Sequence, residues 1–231
     1  MKKLLIIPAR SGSKRIKNKN IKIFFNKPII YYSINQSLKS KLFHKIHVST
    51  DCKNIAKIVE KKIKIDFLRP KKLAKDNIGL MDVFKFVVKK YKSIGHIFSE
   101  IWFLLACSPL IDKEDLIKAN KDFKSGSKHN SLLAVTEYSP PIQWAFKQNS
   151  NKILIPINKK KQKERSQNLQ KSYYDTGTFG IFNQEVFYKN KKPIFKSFLL
   201  PRTKGIDIDN IEEWEFAKKI FKLKKLNLYS L

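Results

Sequence analysis

A loop rich in small and basic residues follows the first apolar run of the chain. Residues 4–7 read Leu-Leu-Ile-Ile, and residues 8–20 read Pro-Ala-Arg-Ser-Gly-Ser-Lys-Arg-Ile-Lys-Asn-Lys-Asn. Small residues let a ligand approach backbone N–H groups, and cationic side chains suit phosphate oxygens. The loop lacks the glycine spacing of a Walker A motif or a dinucleotide fingerprint, and an ordinary turn is the alternative. We interpret it as a triphosphate-binding loop with Arg10, Lys14 and Lys19 as its cations.

Two carboxylates near the other end of the chain are separated by one residue, at Asp207 and Asp209. In an extended segment such side chains point to the same face, so both could hold one divalent cation whose other ligands are phosphate oxygens. Helix capping is the alternative, because Asp209 followed by Glu212 fits a capping box. That alternative leaves Asp207 without a role, and the two roles can coexist.

Two further segments carry weaker signals. Tyr174-Asp175-Thr176-Gly177-Thr178 is typical of a turn that enters a strand. Arg165-Ser166-Gln167 places an arginine in a lysine-rich background, and an exposed side chain explains it as well. The four histidines show no metal-ligand spacing, and two cysteines do not make a disulfide framework.

Apolar runs alternate with amphipathic stretches along most of the chain. The predicted strands are 4–7, 45–50, 63–68, 101–106, 131–135 and 178–182. The predicted helices are 28–38, 52–62 with Asp51 as its N-cap, 80–92, 113–123 and 211–223. In the helix 80–92 the inward side chains are predicted to be Val83, Phe84, Val87 and Val88. This alternation predicts an α/β fold with a mostly parallel, Rossmann-like sheet flanked by helices. Ligands bind at the carboxyl ends of strands in such sheets, so the loop after the first strand is well placed for a site.

The alternation breaks between residues 138 and 174. Pro140-Pro141 opens this region, and a lysine-rich run, 159–163, lies in its middle. The region is too polar for a core element and too long for a simple connection. We interpret it as a small inserted lobe, partly β, within a single domain that spans residues 1–231. The lobe is expected to cover the site or to pair with a second subunit, which makes a homodimer the expected assembly.

The composition is strongly basic. The chain of 231 residues carries 49 Lys and Arg against 19 Asp and Glu, a formal charge of +30. A basic nucleic-acid-binding protein is one interpretation. Compositional bias is the one we favour, because the lysines are spread along the whole chain and only five of the basic residues are arginine. No apolar run reaches the about 18 residues that a membrane helix needs, and a signal-peptide cleavage site is lacking, so a cytoplasmic protein is expected.

The motifs together resemble those of the CMP-nonulosonic acid synthetases, the acylneuraminate cytidylyltransferase family. The segments that match in order and spacing are Ile7–Asn20, Ser49-Thr50-Asp51, Phe67–Pro70, Leu73–Asp76 and Asp207–Asp209. Lys14-Arg15-Ile16, Arg165–Leu169 and Tyr173–Gly177 resemble the pseudaminic acid branch most. Two features depart from the family pattern: Leu105–Pro109 replaces a Thr-Ala-Pro or Thr-Ser-Pro run, and Tyr174 replaces a histidine.

The resemblance implies a fold of the nucleotide-diphospho-sugar transferase type and a nucleotidyl transfer from CTP to a 2-keto sugar acid. The expected substrate is pseudaminic acid, with sialic, legionaminic or 3-deoxy-octulosonic acid as alternatives. Arg10, Lys14, Lys19 and Asp209 would be catalytic, and Asp207 and Asp209 would bind Mg²⁺. The nucleotide pocket would be lined by Ala9, Arg10, Ser11, Gly12, Asn20, Arg69 and Asp76. The sugar acid would be contacted by Arg165, Gln167 and Asp175.

Overall fold

A computed structural model describes residues 1–126 and 128–226 of the chain. The strands are β1 (Lys3–Pro8), β2 (Ile23–Phe24), β3 (Lys27–Pro28), β4 (Lys45–Ser49), β5 (Glu100–Leu104), β6 (Ser131–Glu137), β7 (Phe146–Gln148), β8 (Leu154–Pro156), β9 (Tyr173–Asn183) and β10 (Phe195–Leu199). The α-helices are α1 (Ile30–Ser40), α2 (Lys53–Val59), α3 (Leu80–Ser93), α4 (Lys113–Lys124), α5 (Glu185–Tyr188) and α6 (Ile211–Lys225). None of the helices in these described ranges has the length and apolar character to cross a bilayer.

Six strands form one sheet in the order β10-β6-β9-β5-β1-β4. β1 is parallel to both β4 and β5, and β10 is parallel to β6, whereas β9 runs antiparallel between β5 and β6. This arrangement confirms the predicted α/β class with a mostly parallel sheet. The chain passes from β1 to β4 on one side and later to β5 on the other, so a crevice forms at the carboxyl end of β1.

Alternate residues of β1 belong to different cores on the two faces of the sheet. Leu5 and Ile7 belong to the core that also contains residues of α1, α2 and α4. Leu4 and Ile6 belong to the core in which α3 packs. All four side chains are fully buried, which explains why this run has no polar alternation.

The predicted third strand, 63–68, is irregular backbone. Ile65 is buried and Phe67 is partly buried, so the alternating apolar residues pack against the cores without pairing in a ladder. Periodicity cannot separate these two uses of an alternating segment. Conversely, β10 was not predicted; it is an edge strand whose residues alternate between exposed and half-buried.

Two predicted helix starts were also wrong. Helix α1 begins at Ile30 because Pro28 pairs with Ile23 in a short hairpin. Helix α2 begins at Lys53 with Cys52 as its N-cap, since the carboxylate of Asp51 accepts hydrogen bonds from Ser11 instead. The helix termini therefore depend on partners that lie far away in the sequence.

The segment between β6 and β9 holds the small hairpin β7–β8 and two single-turn 3-10 helices, Ile142–Trp144 and Ser166–Asn168. The Trp144 indole N–H donates to the carbonyl oxygen of Glu164 at 3.2 Å, which ties the two halves of the segment together. Most side chains of the hairpin are exposed.

Candidate active site

A cleft of about 660 Å³ opens at the carboxyl end of β1, a volume typical of sites for small molecules. Its walls come from four regions: the loop after β1, the segment 69–83, the turn after β5, and the segment around Asp207 beside Gly177 of β9. The antiparallel direction of β9 brings its first half to the edge where the parallel strands end. The sheet topology therefore gathers residues from both ends of the chain.

The loop after β1 is anchored at its start and at its end. Ala9 N–H donates to Ser49 O at 2.9 Å, and Ser11 donates to Asp51 through its backbone N–H (3.1 Å) and its hydroxyl (2.8 Å). At the other end, Asn20 Nδ2 donates to Arg10 O at 2.9 Å. These bonds fix the direction in which the cationic side chains between them project.

Arg10 and Lys14 lie together on one wall of the cleft through a shared carboxylate. Arg10 Nη1 is 2.7 Å from Asp76 Oδ1, and Lys14 Nζ is 2.5 Å from Asp76 Oδ2. The hydrogen bonds from Lys14 and Arg10 hold the pKa of Asp76 below its ordinary value. Asp76 thus serves as the counter-charge of the two cations, and a phosphate group that binds there must compete with it.

Lys19 lies beside the carboxylate of Asp209. Its ammonium donates to Ile208 O at 2.6 Å and to Asp209 Oδ1 at 2.9 Å, and the guanidinium of Arg15 pairs with Asp209 Oδ2. Partial burial acts to raise the pKa of Asp209, but Lys19 and Arg15 outweigh it and hold that pKa below its ordinary value. Arg15 was not among the predicted site residues, although it is one of only five arginines in the chain.

Asp207 differs from Asp209 in having no hydrogen bond or ion pair with any other described residue. Burial in the cleft and the charge of Asp209 raise the pKa of Asp207 to about 6. The side chain rests against the backbone of Gly177, where an added Cβ would lie 3.0 Å from Asp207 Oδ2. A carboxylate in this environment gains from a nearby cation.

Asp207 and Asp209 could together hold a hard divalent cation, which would compete with Lys19 and Arg15 for the carboxylate of Asp209. Within the described ranges no three His, Cys, Asp or Glu side chains group into a complete metal site. Mg²⁺ is commonly bound by one or two carboxylates, with substrate phosphates and water as the other ligands, so two are sufficient. Asp209 does not cap helix α6. The N-cap is Asn210, whose side chain accepts a hydrogen bond from Glu213 N at 2.9 Å. The capping box considered as the alternative for Asp209 and Glu212 is formed one residue later, by Asn210 and Glu213.

The floor of the cleft is the turn after β5, which includes Cys107. The Cys107 thiol donates to Asn20 Oδ1 at 3.5 Å, and burial raises its pKa to about 12. The Ser33 hydroxyl of α1 donates to the Leu105 carbonyl at 2.9 Å and holds the turn in place. A neutral thiol is a weak nucleophile, so this residue acts as a packing and hydrogen-bonding group.

Arg69 is a cleft residue with spare donors. Only 5% of the residue is exposed, its Nη2 is 3.8 Å from Asp51 Oδ1, and its Nε and Nη2 lack hydrogen-bond partners among the described residues. Burial lowers the pKa of Arg69, and Asp51 opposes that effect. A buried guanidinium with unused donors is suited to a ligand that presents acceptors.

Eight of the fourteen predicted site residues line this cleft: Arg10, Lys14, Lys19, Asn20, Arg69, Asp76, Asp207 and Asp209. Ala9, Ser11 and Gly12 belong to the same loop but not to the cleft wall, and the side chain of Ala9 is fully buried. Arg165 and Gln167 lie at the 3-10 helix Ser166–Asn168 and are not among the lining residues. Asp175 accepts from Gly177 N at 2.8 Å, and its charge contributes to raising the pKa of Asp207.

Comparisons with known proteins agree with the geometry. Residues 4–226 match the family model described as cytidylyltransferase. A pseudaminic acid cytidylyltransferase of Campylobacter jejuni subsp. jejuni serotype O:2 is 37% identical over 227 residues, covering 96% of this chain and 97% of its own. An N-acylneuraminate cytidylyltransferase of Escherichia coli O18:K1:H7 is 28% identical, covering 98% of this chain and 54% of its own. The solved structure of a CMP:2-keto-3-deoxy-manno-octonic acid synthetase complexed with CTP has the same fold, with a TM-score of 0.71, 14% identity, and coverage of 97% of this chain and 100% of its own.

Proposed function

The chain belongs to the cytidylyltransferase family, and from that premise we propose that it transfers CMP from CTP to pseudaminic acid and releases pyrophosphate. The observation that carries the proposal is the cleft that is lined both by the cations Arg10 and Lys14 and by the carboxylates Asp207 and Asp209. A triphosphate and a cation-dependent phosphoryl centre need these two sets of charges side by side. The identity to the pseudaminic acid enzyme of Campylobacter extends over nearly the whole chain, which favours the same sugar acid.

The cationic wall is suited to the triphosphate. Arg10 presents a planar fork to phosphate oxygens and Lys14 a mobile point charge, and both stabilise negative charge that develops on a departing pyrophosphate. Arg69 has donors available for the carbonyl and ring-nitrogen acceptors of a cytosine base. The Asn20 side chain orients the loop through Arg10 O.

The reaction is an in-line displacement at the α-phosphorus. The anomeric hydroxyl oxygen of the sugar acid forms a bond to phosphorus while the bond to the pyrophosphate oxygen breaks. When bound by Asp207 and Asp209, Mg²⁺ supplies charge neutralisation at the phosphates and a lower pKa for the attacking hydroxyl. Lys19 and Arg15 keep Asp209 ionised and in place. The proton of the attacking hydroxyl passes to solvent as the new bond forms, so a separate side-chain base is not required.

Sugar recognition forms part of the same proposal. Arg165 is suited to the carboxylate of the sugar acid, and Gln167 and Asp175 to its hydroxyl and amide groups. Arg165 and Gln167 are not among the residues that line the cleft, so this part of the proposal expects the lobe or a neighbouring subunit to bring them to the substrate. An Arg165→Ala variant tests this role.

A homodimer through the β7–β8 hairpin completes the proposal. Phe146, Ile153, Leu154, Ile155 and Ile157 are between 45% and 58% exposed, an apolar surface that suits a second copy of the chain. Light scattering on the purified protein measures its oligomeric state directly. An Ile155→Lys variant is expected to lower the mass to that of a monomer, and a wild-type monomer would contradict the proposal.

A panel assay tests the substrate. Enzyme, CTP and Mg²⁺ are combined with pseudaminic, sialic, legionaminic or 3-deoxy-octulosonic acid while pyrophosphate release is followed. We expect the highest kcat/KM with pseudaminic acid; a higher value with any other acid would replace it as the substrate. Family membership gives no support to a nucleic-acid-binding role for the high positive charge. We place the reaction in the cytoplasm, where CTP is available.

A further inference from the structure

An ion cluster of Asp112, Asp115, Lys204 and Lys224 lies apart from the cleft. Lys204 Nζ is 2.8 Å from Asp112 Oδ2 and 2.8 Å from both carboxylate oxygens of Asp115, and Lys224 Nζ is 2.9 Å from Asp112 Oδ2. Only 5% of Lys204 is exposed. Two carboxylates and two ammonium groups balance in charge, so removing one of them leaves an uncompensated charge in the cluster.

The acids of the cluster belong to a rigid element. Asp112 caps α4, accepting from Asp115 N at 3.1 Å, while Asp115 accepts from Asp112 N at 3.0 Å. Asp112 also ends the turn after β5 that begins with the floor of the cleft at Leu105. A side chain that binds Asp112 and Asp115 is therefore held close to the turn after β5, which lines the cleft.

Lys204 belongs to the loop that carries the carboxylates of the site, three residues before Asp207. Between Lys204 and Asp209 the chain has little freedom to adjust. At Gly205 an added Cβ would lie 2.6 Å from Thr176 Cγ2, and only 1% of Ile208 is exposed. Because the intervening residues are fixed, a displacement at Lys204 is transmitted to Asp207.

Lys224 provides an internal comparison. It belongs to α6, it contacts Asp112 but not Asp115, and its side chain is 32% exposed. Removing either lysine takes one positive charge from the same cluster. Of these two lysines, however, Lys204 is the one that belongs to the loop of Asp207 and Asp209.

We propose that Lys204 is a positioning residue for nucleotidyl transfer: its contacts with Asp112 and Asp115 hold the loop on which Asp207 and Asp209 receive the metal and the triphosphate. This inference rests on the proposed function. Groups that orient metal ligands in this indirect way typically contribute about 10- to 100-fold in metal affinity or activity.

The experiment compares Lys204→Met with Lys224→Met. Mn²⁺ binding is measured by electron paramagnetic resonance with CTP present and sugar acid absent, and turnover, KM values and thermal unfolding are measured separately. For Lys204→Met we expect Mn²⁺ affinity and kcat to fall about 10-fold or more, while the KM for sugar acid changes less than about two-fold. For Lys224→Met we expect lower thermal stability with Mn²⁺ affinity and kcat near wild type.

A double variant, Lys204→Met with Asp115→Asn, guards against misfolding because it restores the charge balance of the cluster. It is expected to fold and still to bind Mn²⁺ weakly. Wild-type Mn²⁺ affinity and kcat in the Lys204 variants, or equal losses in the two single variants, would overturn the inference. Failure of the wild type to release pyrophosphate with any sugar acid would instead overturn the proposed function. The comparison of Mn²⁺ affinities would still test whether Lys204 positions the loop of Asp207 and Asp209.

Discussion

Gly177 of β9 packs against the carboxylate of Asp207. Replacing Gly177 with alanine tests how strongly the reaction depends on the position of that carboxylate. The residue has φ +59°, a left-handed conformation, and an added Cβ would lie 3.0 Å from Asp207 Oδ2 and 3.2 Å from its Cγ. The substitution therefore has two separate effects. One is backbone strain, and the other is a push on Asp207.

The strain is expected to destabilise the protein by about 1–2 kcal/mol, the usual difference between alanine and glycine in this conformation. For a chain of this size, that corresponds to a fall in Tm of roughly 2–8 °C. Relief of the close contact requires Asp207 to retreat by a few tenths of an ångström. Since a misplacement of about 1 Å can lower turnover about 100-fold, we expect a loss of about 10-fold in kcat.

Gly95 offers a matched control. Its φ is +84°, so Gly95→Ala introduces similar strain, but within the described residues nothing lies within 4 Å of the added Cβ. Pyrophosphate release and thermal unfolding are measured for both variants. We expect similar falls in Tm and a loss of kcat only in Gly177→Ala. Equal kcat values in the two variants would show that the position of Asp207 against β9 does not limit the reaction.

Three further predictions concern other parts of the molecule. Asp209→Asn is expected to lower kcat about 100-fold or more, because a charge that acts on the reacting phosphates is lost; circular dichroism melts should change little, since partly exposed ion pairs contribute about 1 kcal/mol or less. Arg165→Ala is expected to raise the KM for sugar acid about 10-fold with an unchanged KM for CTP, and an increase in the CTP value alone would contradict its assignment. Burial lowers the pKa of His47 to about 4, against about 6.5 in the unfolded chain. Between these two pH values only the unfolded chain gains a proton, so the folded state becomes less stable as the pH drops. From pH 7 to pH 5 the free energy of unfolding is expected to fall by about 2 kcal/mol. Urea titrations at these two pH values should show a smaller fall in His47→Phe, and an equal fall would argue against this origin.

The sequence by itself predicted the elements whose signals are local. The fully apolar run before the basic loop indicated a buried strand, and the buried side of α3 was correctly predicted at Val83, Phe84, Val87 and Val88. Periodicity reports burial directly, because the side chains that meet the core repeat with the helix or strand. The alternation of these elements was sufficient to predict the α/β class.

Chain order and residue type also singled out both halves of the cleft. Strands of a parallel sheet end at one edge, so the loop after β1 was predicted to carry a ligand site before any contact was known. The two carboxylates at Asp207 and Asp209 were identified from their spacing alone. Family resemblance, not periodicity, connected them to the loop almost two hundred residues earlier.

Only the tertiary structure decided the contacts that are long-range in sequence. It showed that Asp51 holds Ser11 rather than capping α2, that Asn210 rather than Asp209 caps α6, and that Arg15 pairs with Asp209. It also placed Lys204 on the acids of α4. The sequence around a charged residue does not identify its ion-pair partner, because ion pairing depends on which surfaces the fold brings together. Most of the charged residues that line the cleft could thus be predicted from the sequence, whereas the pairing of charges within and around it could not.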